Sequence, residues 1–360
     1  MIAPRILIIS LLLACGGAAS VYAQEDAATL SGAVEAWLNS PHARRGSESF
    51  THWDEDGEIP PQCATCHSSI GMRDFLGGDG STPGQVDHPT ALGALIDCTT
   101  CHSAAAAALD QVTFPSGVAI GGFGPSATCM VCHQGRTSGD GVNATTAGLD
   151  DDAVAPELGF VNVHYRAAAA SLLGTEVRGG FEYPGKTYAG RFAHVPNFNT
   201  CTSCHEPHAL EVRAEPCAEC HKTANLTAIR TRPADADGDG NTGEGVAFEI
   251  TGLHDALGHA IMAYAAEVAG KPVVYAPDAY PYFFVDLNGN GSVDADEAAY
   301  PNRYQSWTPR LLRAAYNYQF VAKDPGIYAH NPSYAIQLMI DSLDDLGKAT
   351  GLDTGAWIRP

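Results

Sequence analysis

The sequence predicts a mainly α-helical fold with extensive irregular loops and few short strands. Three observations predict it. The chain carries 38 Gly and 22 Pro in 360 residues, above the ~12% usual for the pair. With 45% hydrophobic residues the excess points to turns rather than to disorder. Apolar residues recur at helical spacing over 253–268, 309–323 and 332–346, and the last stretch is entered through Asn331-Pro332, a helix-start signal. Between residues 61 and 225 stand five short pentapeptides of the form Cys-x-x-Cys-His, which leave room for short helices and loops but not for a sheet.

The first element is an export signal. Met1 to Arg5 is a short basic start, Ile6 to Ala14 is apolar, and Val21-Tyr22-Ala23 is a small-residue cleavage pattern. A cleaved leader over 1–23 is the reading preferred. The alternative is a lipoprotein signal over 1–14, because Leu12-Leu13-Ala14-Cys15 resembles a lipobox with Cys15 as the lipidated residue. Either way the chain leaves the cytoplasm, for the periplasm or the cell surface. The apolar run is shorter than the ~20 residues of a membrane span. The formal charge of −21 argues against nucleic acid as a partner.

Next come the cysteines. Of eleven, Cys15 falls in the signal. The other ten form Cys63/Cys66/His67, Cys98/Cys101/His102, Cys129/Cys132/His133, Cys201/Cys204/His205 and Cys217/Cys220/His221. Zinc ribbons and disulfide frameworks also pair cysteines, but neither needs His directly after every pair. Two thiols that form thioethers with haem vinyl groups, and an adjacent His that reaches the iron, do need it. Five covalent haems c are therefore expected, and no disulfide.

Each iron then has a second axial position. Nine histidines remain outside the pentapeptides, while Met130 lies inside one of them and Met72, Met262 and Met339 look like ordinary apolar residues. The surplus of His argues for bis-His iron, which has no open position for substrate. Context selects five. His208 lies in Cys-His-Glu-Pro-His, His42 follows Ser40-Pro41, and His164 opens a helical-looking run. His194 sits shortly before Cys201, and His330 lies in Ala-His-Asn-Pro. His52 is held in reserve; His88, His254 and His259 fit less well.

The C-terminal part carries a second chemistry. Asp286, Asn288, Asn290, Ser292, Asp294 and Glu297, with Gly291 at the turn, match a twelve-residue calcium loop at each diagnostic place. The flank Tyr280-Pro-Tyr-Phe-Phe-Val reads as strand or turn, not helix. Asp235, Asp237, Asp239 and Asn241 begin a similar loop, but its twelfth position is Val246. Glu244 could close a shortened calcium site there; a solvated acidic loop is the competing reading.

Residues 24–225 thus form the cysteine-rich region, opening with a polar leader and a short amphipathic helix around Val34, Trp37 and Leu38. Residues 226–360 form a helical C-terminal region with the calcium loops, packed on the first. The whole resembles the multihaem cytochromes c of bacterial respiratory and extracellular electron-transfer systems, on the five motifs, the Cys-His-Glu-Pro-His element and the Ala-His-Asn-Pro helix entry. The resemblance implies a fold wrapped around five haems, and electron transfer between redox protein donors and acceptors, extracellular or metal-oxide acceptors included. Two alternatives stay open. One is an oxidoreductase of the nitrite-reductase or hydroxylamine-oxidoreductase type with one open iron, although no Cys-x-x-Cys-Lys occurs. The other is a self-assembling filament in which His42 or His52 reaches a neighbouring subunit.

Overall fold

The computed structural model describes residues 29–360. The expected export signal and Cys15 lie outside the described residues. Helix accounts for 42% and strand for 5%, so the chain is mainly helical and loop-rich. Among the described residues strand is confined to three two-stranded antiparallel pairs: β1 (Glu58–Ile59) with β2 (Thr90–Ala91), β3 (Val112–Thr113) with β4 (Ala119–Ile120), and β5 (Val273–Tyr275) with β6 (Phe283–Val285).

The N-terminal half is a chain of short helices: α1 (29–39), α2 (Glu48–Thr51), α3 (Pro61–His67), α4 (Ser69–Phe75), α5 (Cys98–His102), α6 (Ala104–Ala108), α7 (Ser126–Cys132), α8 (Gly139–Thr146), α9 (Ala168–Leu173), α10 (Cys201–Cys204) and α11 (Cys217–His221). Local signals account for several of them. Ser68 caps α4 by accepting from the backbone N–H of Ile70 and Gly71. Asp97 caps α5 through Thr99, and Thr200 with Ser203 forms a capping box on α10. One boundary differs from expectation. The helical-looking run opened by His164 is helical only from Ala168, because His164 and Arg166 take left-handed backbone angles (φ +69° and +58°). Helix α8 is capped by the Ser138 side chain.

The C-terminal third supplies the long helices α12 (Val246–Glu267), α13 (Pro309–Ala322), α14 (Ile327–His330) and α15 (Pro332–Thr350). Helix α12 begins seven residues before the periodic stretch at 253, since Val246 follows directly on the acidic loop. The Thr308 side chain caps α13 with Pro309 in its first turn. Asn331 does the same for α15, which ends on Gly351 at φ +75°. Leu253, Leu257, Ile261 and Tyr264 of α12, Leu311, Leu312 and Tyr316 of α13, and Leu338, Met339 and Leu343 of α15 are almost fully buried. Truncating one such Leu to Ala costs about 2–5 kcal/mol. The same apolar cluster runs on into Met72, Phe114, Met130, Val163 and Leu173.

Buried amides tie the irregular segment 160–193 to these helices. Asn317 accepts from Phe181 N at 2.7 Å and donates to Phe181 O at 2.9 Å. Gln319 accepts from Val163 N at 2.9 Å, and Gln337 from Ala189 N at 2.8 Å. These bonds satisfy backbone groups that no sheet would otherwise pair, and they fix the loops that carry His164 and His194.

Candidate haem-ligand and metal sites

In each pentapeptide a single helical turn separates the two cysteines, so both thiols leave one face and the His follows at the C-terminal end. None of the ten described cysteines is in a disulfide. The ring of every pentapeptide His faces one histidine from elsewhere in the chain. His67 faces His164 with ring centroids 5.9 Å apart, His102 faces His208 at 6.2 Å, and His133 faces His42 at 6.3 Å. His205 faces His330 at 6.4 Å, and His221 faces His194 at 5.9 Å. A metal–nitrogen bond of about 2 Å, with each ring centroid about 1 Å behind its nitrogen, puts two imidazoles on opposite sides of one iron about 6 Å apart. Direct aromatic stacking also spans such distances. Five one-to-one pairings of a motif His with an outside His are what separates the two explanations.

Local structure aims each partner. Trp37 Nε1 donates to Ile96 O at 2.8 Å and seats α1; the 3-10 turn Pro41–Ala43 then brings His42 to His133. Asn162 accepts from His164 N at 2.9 Å inside the left-handed turn that carries His164 to His67. On the far side of that ring, His67 Nδ1 bonds Ser49 O at 2.9 Å, and Trp53 packs edge-on at 5.1 Å. The Glu206 carboxylate accepts from His208 N at 2.7 Å. The remaining histidines are engaged otherwise. His52 bonds Glu48 at 2.8 Å, His88 bonds Asp87, His254 bonds Tyr318 O at 3.0 Å, and His259 is exposed on α12.

An axial imidazole must be neutral. Burial holds His42, His67 and His205 below the usual range. Burial, aided by neighbouring cations and histidines, pushes His133 and His164 down to about 4. His330 runs the other way: burial opposes its charge, but the Asp324 carboxylate outweighs burial and raises it.

The five motifs are not spaced in chain order. Helix α7, with the third motif, packs against α3 of the first and α10 of the fourth. Cys66 lies close enough to Cys132 to act on its thiol, and Cys129 stands in the same relation to Cys201. Cys101 of the second motif is close enough for its charge to act on both Cys129 and Cys132. Cys217 of the fifth acts in the same way on Cys204 of the fourth. The third motif is therefore central, bordered by the first, second and fourth, and the fifth borders the fourth.

In the polypeptide Cys98, Cys101 and Cys220 are exposed, and Cys63, Cys66, Cys129, Cys132, Cys201, Cys204 and Cys217 are half-buried. Helix α11 is five residues long and ends on Lys222 in a left-handed turn at φ +62°.

Comparison with known proteins agrees with this chemistry. The chain is 28% identical to the C-type polyheme cytochrome OmcB of Geobacter sulfurreducens, over 90% of this chain and 49% of that protein. It is 30% identical to the C-type polyheme cytochrome OmcC of the same organism, over 86% of this chain and 40% of that protein. The chain is a homologue of the polyhaem c-type cytochromes. This multihaem cytochrome spans about half the length or less of the curated relatives it matches. No family model and no solved structure matches it. Among the described residues of the cytochrome, no helix is long and apolar enough to cross a membrane.

Two acidic loops flank the long helices. Asp286, buried, accepts from Gly289 N at 2.7 Å and Gly291 N at 2.9 Å. Asn288 accepts from Asn290 N at 2.9 Å, and Asn290 from Ser292 N at 2.7 Å. Glu297, 1% exposed, accepts from Leu287 N at 2.7 Å and Asp294 N at 3.0 Å. Asp294 accepts from the side-chain amides of Asn288 at 2.7 Å and Asn290 at 3.0 Å. Among the described residues no Lys, Arg or His pairs with Asp286 or Glu297. A buried carboxylate without a cation is costly, and a hard cation with oxygen ligands fits the donor set. The loop is entered from β6, not from a helix.

The first acidic loop has the same internal bonds: Asp235 accepts from Gly238 N and Gly240 N, both at 2.8 Å. Two glutamates reach it. Glu249, from the first turn of α12, accepts from Ala236 N at 2.6 Å and joins Asp235 and Asp237 in one cluster, while Glu244 joins Asp237 and Asp239 in another. Burial, with Asp239, Glu249 and Glu244 nearby, pushes the Asp237 carboxyl up to about 6. Sequence counting misses Glu249 because it lies three residues past the regular twelfth-position window; the preference for an acid in the first helical turn is the available signal. Glu249 also pairs with Arg230.

Proposed function

We propose that the chain transfers electrons through five c-type haems, each held by one pentapeptide and one outside histidine. The axial sets are His67/His164, His102/His208, His133/His42, His205/His330 and His221/His194. The observation that carries the proposal is the one-to-one facing of five motif histidines by five others at 5.9 to 6.4 Å. Iron held between two imidazoles changes oxidation state without changing ligands, which suits one-electron transfer. The ten thiols anchor the ring edges, and burial of His133 and His164 keeps their nitrogens unprotonated and available.

With both axial positions supplied from within the chain at every motif, no iron is left for a substrate, and no neighbouring subunit has to donate a histidine. This favours a carrier over a reductase with an open iron and over histidine exchange in a filament. The export signal in the sequence and the polyhaem relatives support a periplasmic or cell-surface setting, with other redox carriers or extracellular acceptors as partners. We assign calcium to Asp286, Asn288, Asn290, Ser292, Asp294 and Glu297. A second calcium is assigned to Asp235, Asp237 and Asp239, with Glu249 closing the loop and Glu244 at its rim.

The test is the purified holoprotein. Pyridine haemochrome should count five haems per chain, and electron paramagnetic resonance should find every iron low-spin. Cyanide and nitrite should leave the spectrum unchanged. A high-spin fraction that binds nitrite would sink the carrier reading in favour of an enzyme.

A further inference from the structure

Two adjacent residues at the end of α13, Lys323 and Asp324, face different axial pairs with opposite charge. Asp324 is 2% exposed, and both its carboxylate oxygens lie 2.9 Å from His330 Nδ1. Its other side-chain bond is from Gly326 N at 3.2 Å. His330 is its one charge partner among the described residues. The ring is seated over Gly326, where a Cβ would come 2.8 Å from Cε1. Nδ1 is thereby committed as the donor to Asp324, and Nε2 is the nitrogen left for iron.

Lys323 is 6% exposed and turns the other way. Its ammonium lies 3.9 Å from the ring centre of Tyr165 and 4.3 Å from that of Tyr282, and donates to Pro277 O at 3.3 Å. No carboxylate among the described residues pairs with it at salt-bridge distance. Tyr165 packs edge-on against His164 at 5.5 Å, and the Lys323 carbonyl accepts from Arg166 N at 3.0 Å, holding the same turn. Lys323 and Arg136 are the cations whose charge reaches His164. Burial lowers the Lys323 ammonium to about 8, which still leaves it mostly charged at neutral pH.

We propose that Asp324 and Lys323 are positioning residues that set two haem potentials apart, Asp324 lowering the potential at the His205/His330 site and Lys323 raising it at the His67/His164 site. The inference rests on the axial assignments above. A carboxylate that pulls on the outer N–H makes an imidazole a stronger donor and stabilises the ferric state. A fixed cation in a poorly solvated site stabilises the ferrous state, which carries one positive charge less. Both axial pairs border the site of the central third motif.

The experiment is a spectroelectrochemical titration of holoprotein, wild type against Asp324→Asn and Lys323→Met, with paramagnetic resonance of each to follow ligation. Asp324→Asn should raise one of the midpoints, and Lys323→Met should lower a different one, with all five irons low-spin. Unmoved midpoints in low-spin variants would overturn the proposal and leave the axial assignments standing. A wild-type spectrum showing His330 or His164 off the iron would overturn the assignments and the proposal with them. Should Asp324→Asn fail to load haem, the downward shift in Lys323→Met still decides the half that concerns the first motif.

Discussion

At the scale of single residues, the imidazoles from outside the pentapeptides have the sharpest expected effects. His42→Ala removes the ring that faces His133 while leaving Cys129, Cys132 and His133 in place. One haem of the five should become high-spin and bind carbon monoxide, and the other four should not; visible and resonance spectra read this directly. His52→Ala, by contrast, removes a ring bonded to Glu48 and should leave all spectra unchanged. The sequence distinguishes these residues by context: Pro beside His42, Glu-Pro before His208, Asn-Pro after His330. It does not reveal which pentapeptide each one meets. His208 stands three residues from His205 but faces His102, because the turn at Glu206 reverses the chain. Asp324 is equally hard to see, since its contact with His330 depends on the Pro325-Gly326 turn folding back.

At the scale of elements, the proposed calcium loop and the α13 anchor make separate predictions. Glu297→Gln removes a buried carboxylate that accepts two backbone N–H groups. It should weaken calcium binding by more than about tenfold, the scale of losing even an outer-shell partner, as measured by isothermal calorimetry. With calcium at a hundredfold excess over its Kd, chelation should lower unfolding free energy by about 2.7 kcal/mol per site. Gly252→Ala should disturb only the first loop, because a Cβ there would meet Asp237 Oδ2 at 2.0 Å. The loop pattern at Asp286–Glu297 is readable because every oxygen-bearing residue falls at a fixed offset. The other is half readable, since Glu249 reaches it from the next helix. In α13, buried Arg310 bonds Asp152 at 2.7 Å and Asp345 at 2.6 Å. Arg310→Met leaves Asp345 buried without that partner and should cost about 3–5 kcal/mol in denaturant unfolding. Hydrogen bonding from Arg310 holds the Asp152 carboxyl below its ordinary value. That contribution is full above the unfolded carboxyl value near about 4 and is lost as pH falls through the lower folded value.

At the scale of the molecule, the fold class follows from composition and motif density, and the long helices from their periodicity. The spatial order of the motifs does not. Contacts across α3, α7 and α10 put the third motif in the middle, an arrangement that depends on how far each loop travels and on the amide bonds that hold 160–193. The helical C-terminal region is also more than a cap. It supplies His330 and the side chains that fix the turn bearing His164.

The facing histidines have a mechanical consequence as well. Four of the five pairs join positions on the order of a hundred residues apart, and closing loops of that length restricts an unfolded chain much as a long-range cross-link does. A chain without a single disulfide among its described residues would then be stapled by iron. Acid that protonates the imidazoles would open those staples together, so haem-loaded protein should lose its tertiary structure and its low-spin spectrum in one transition.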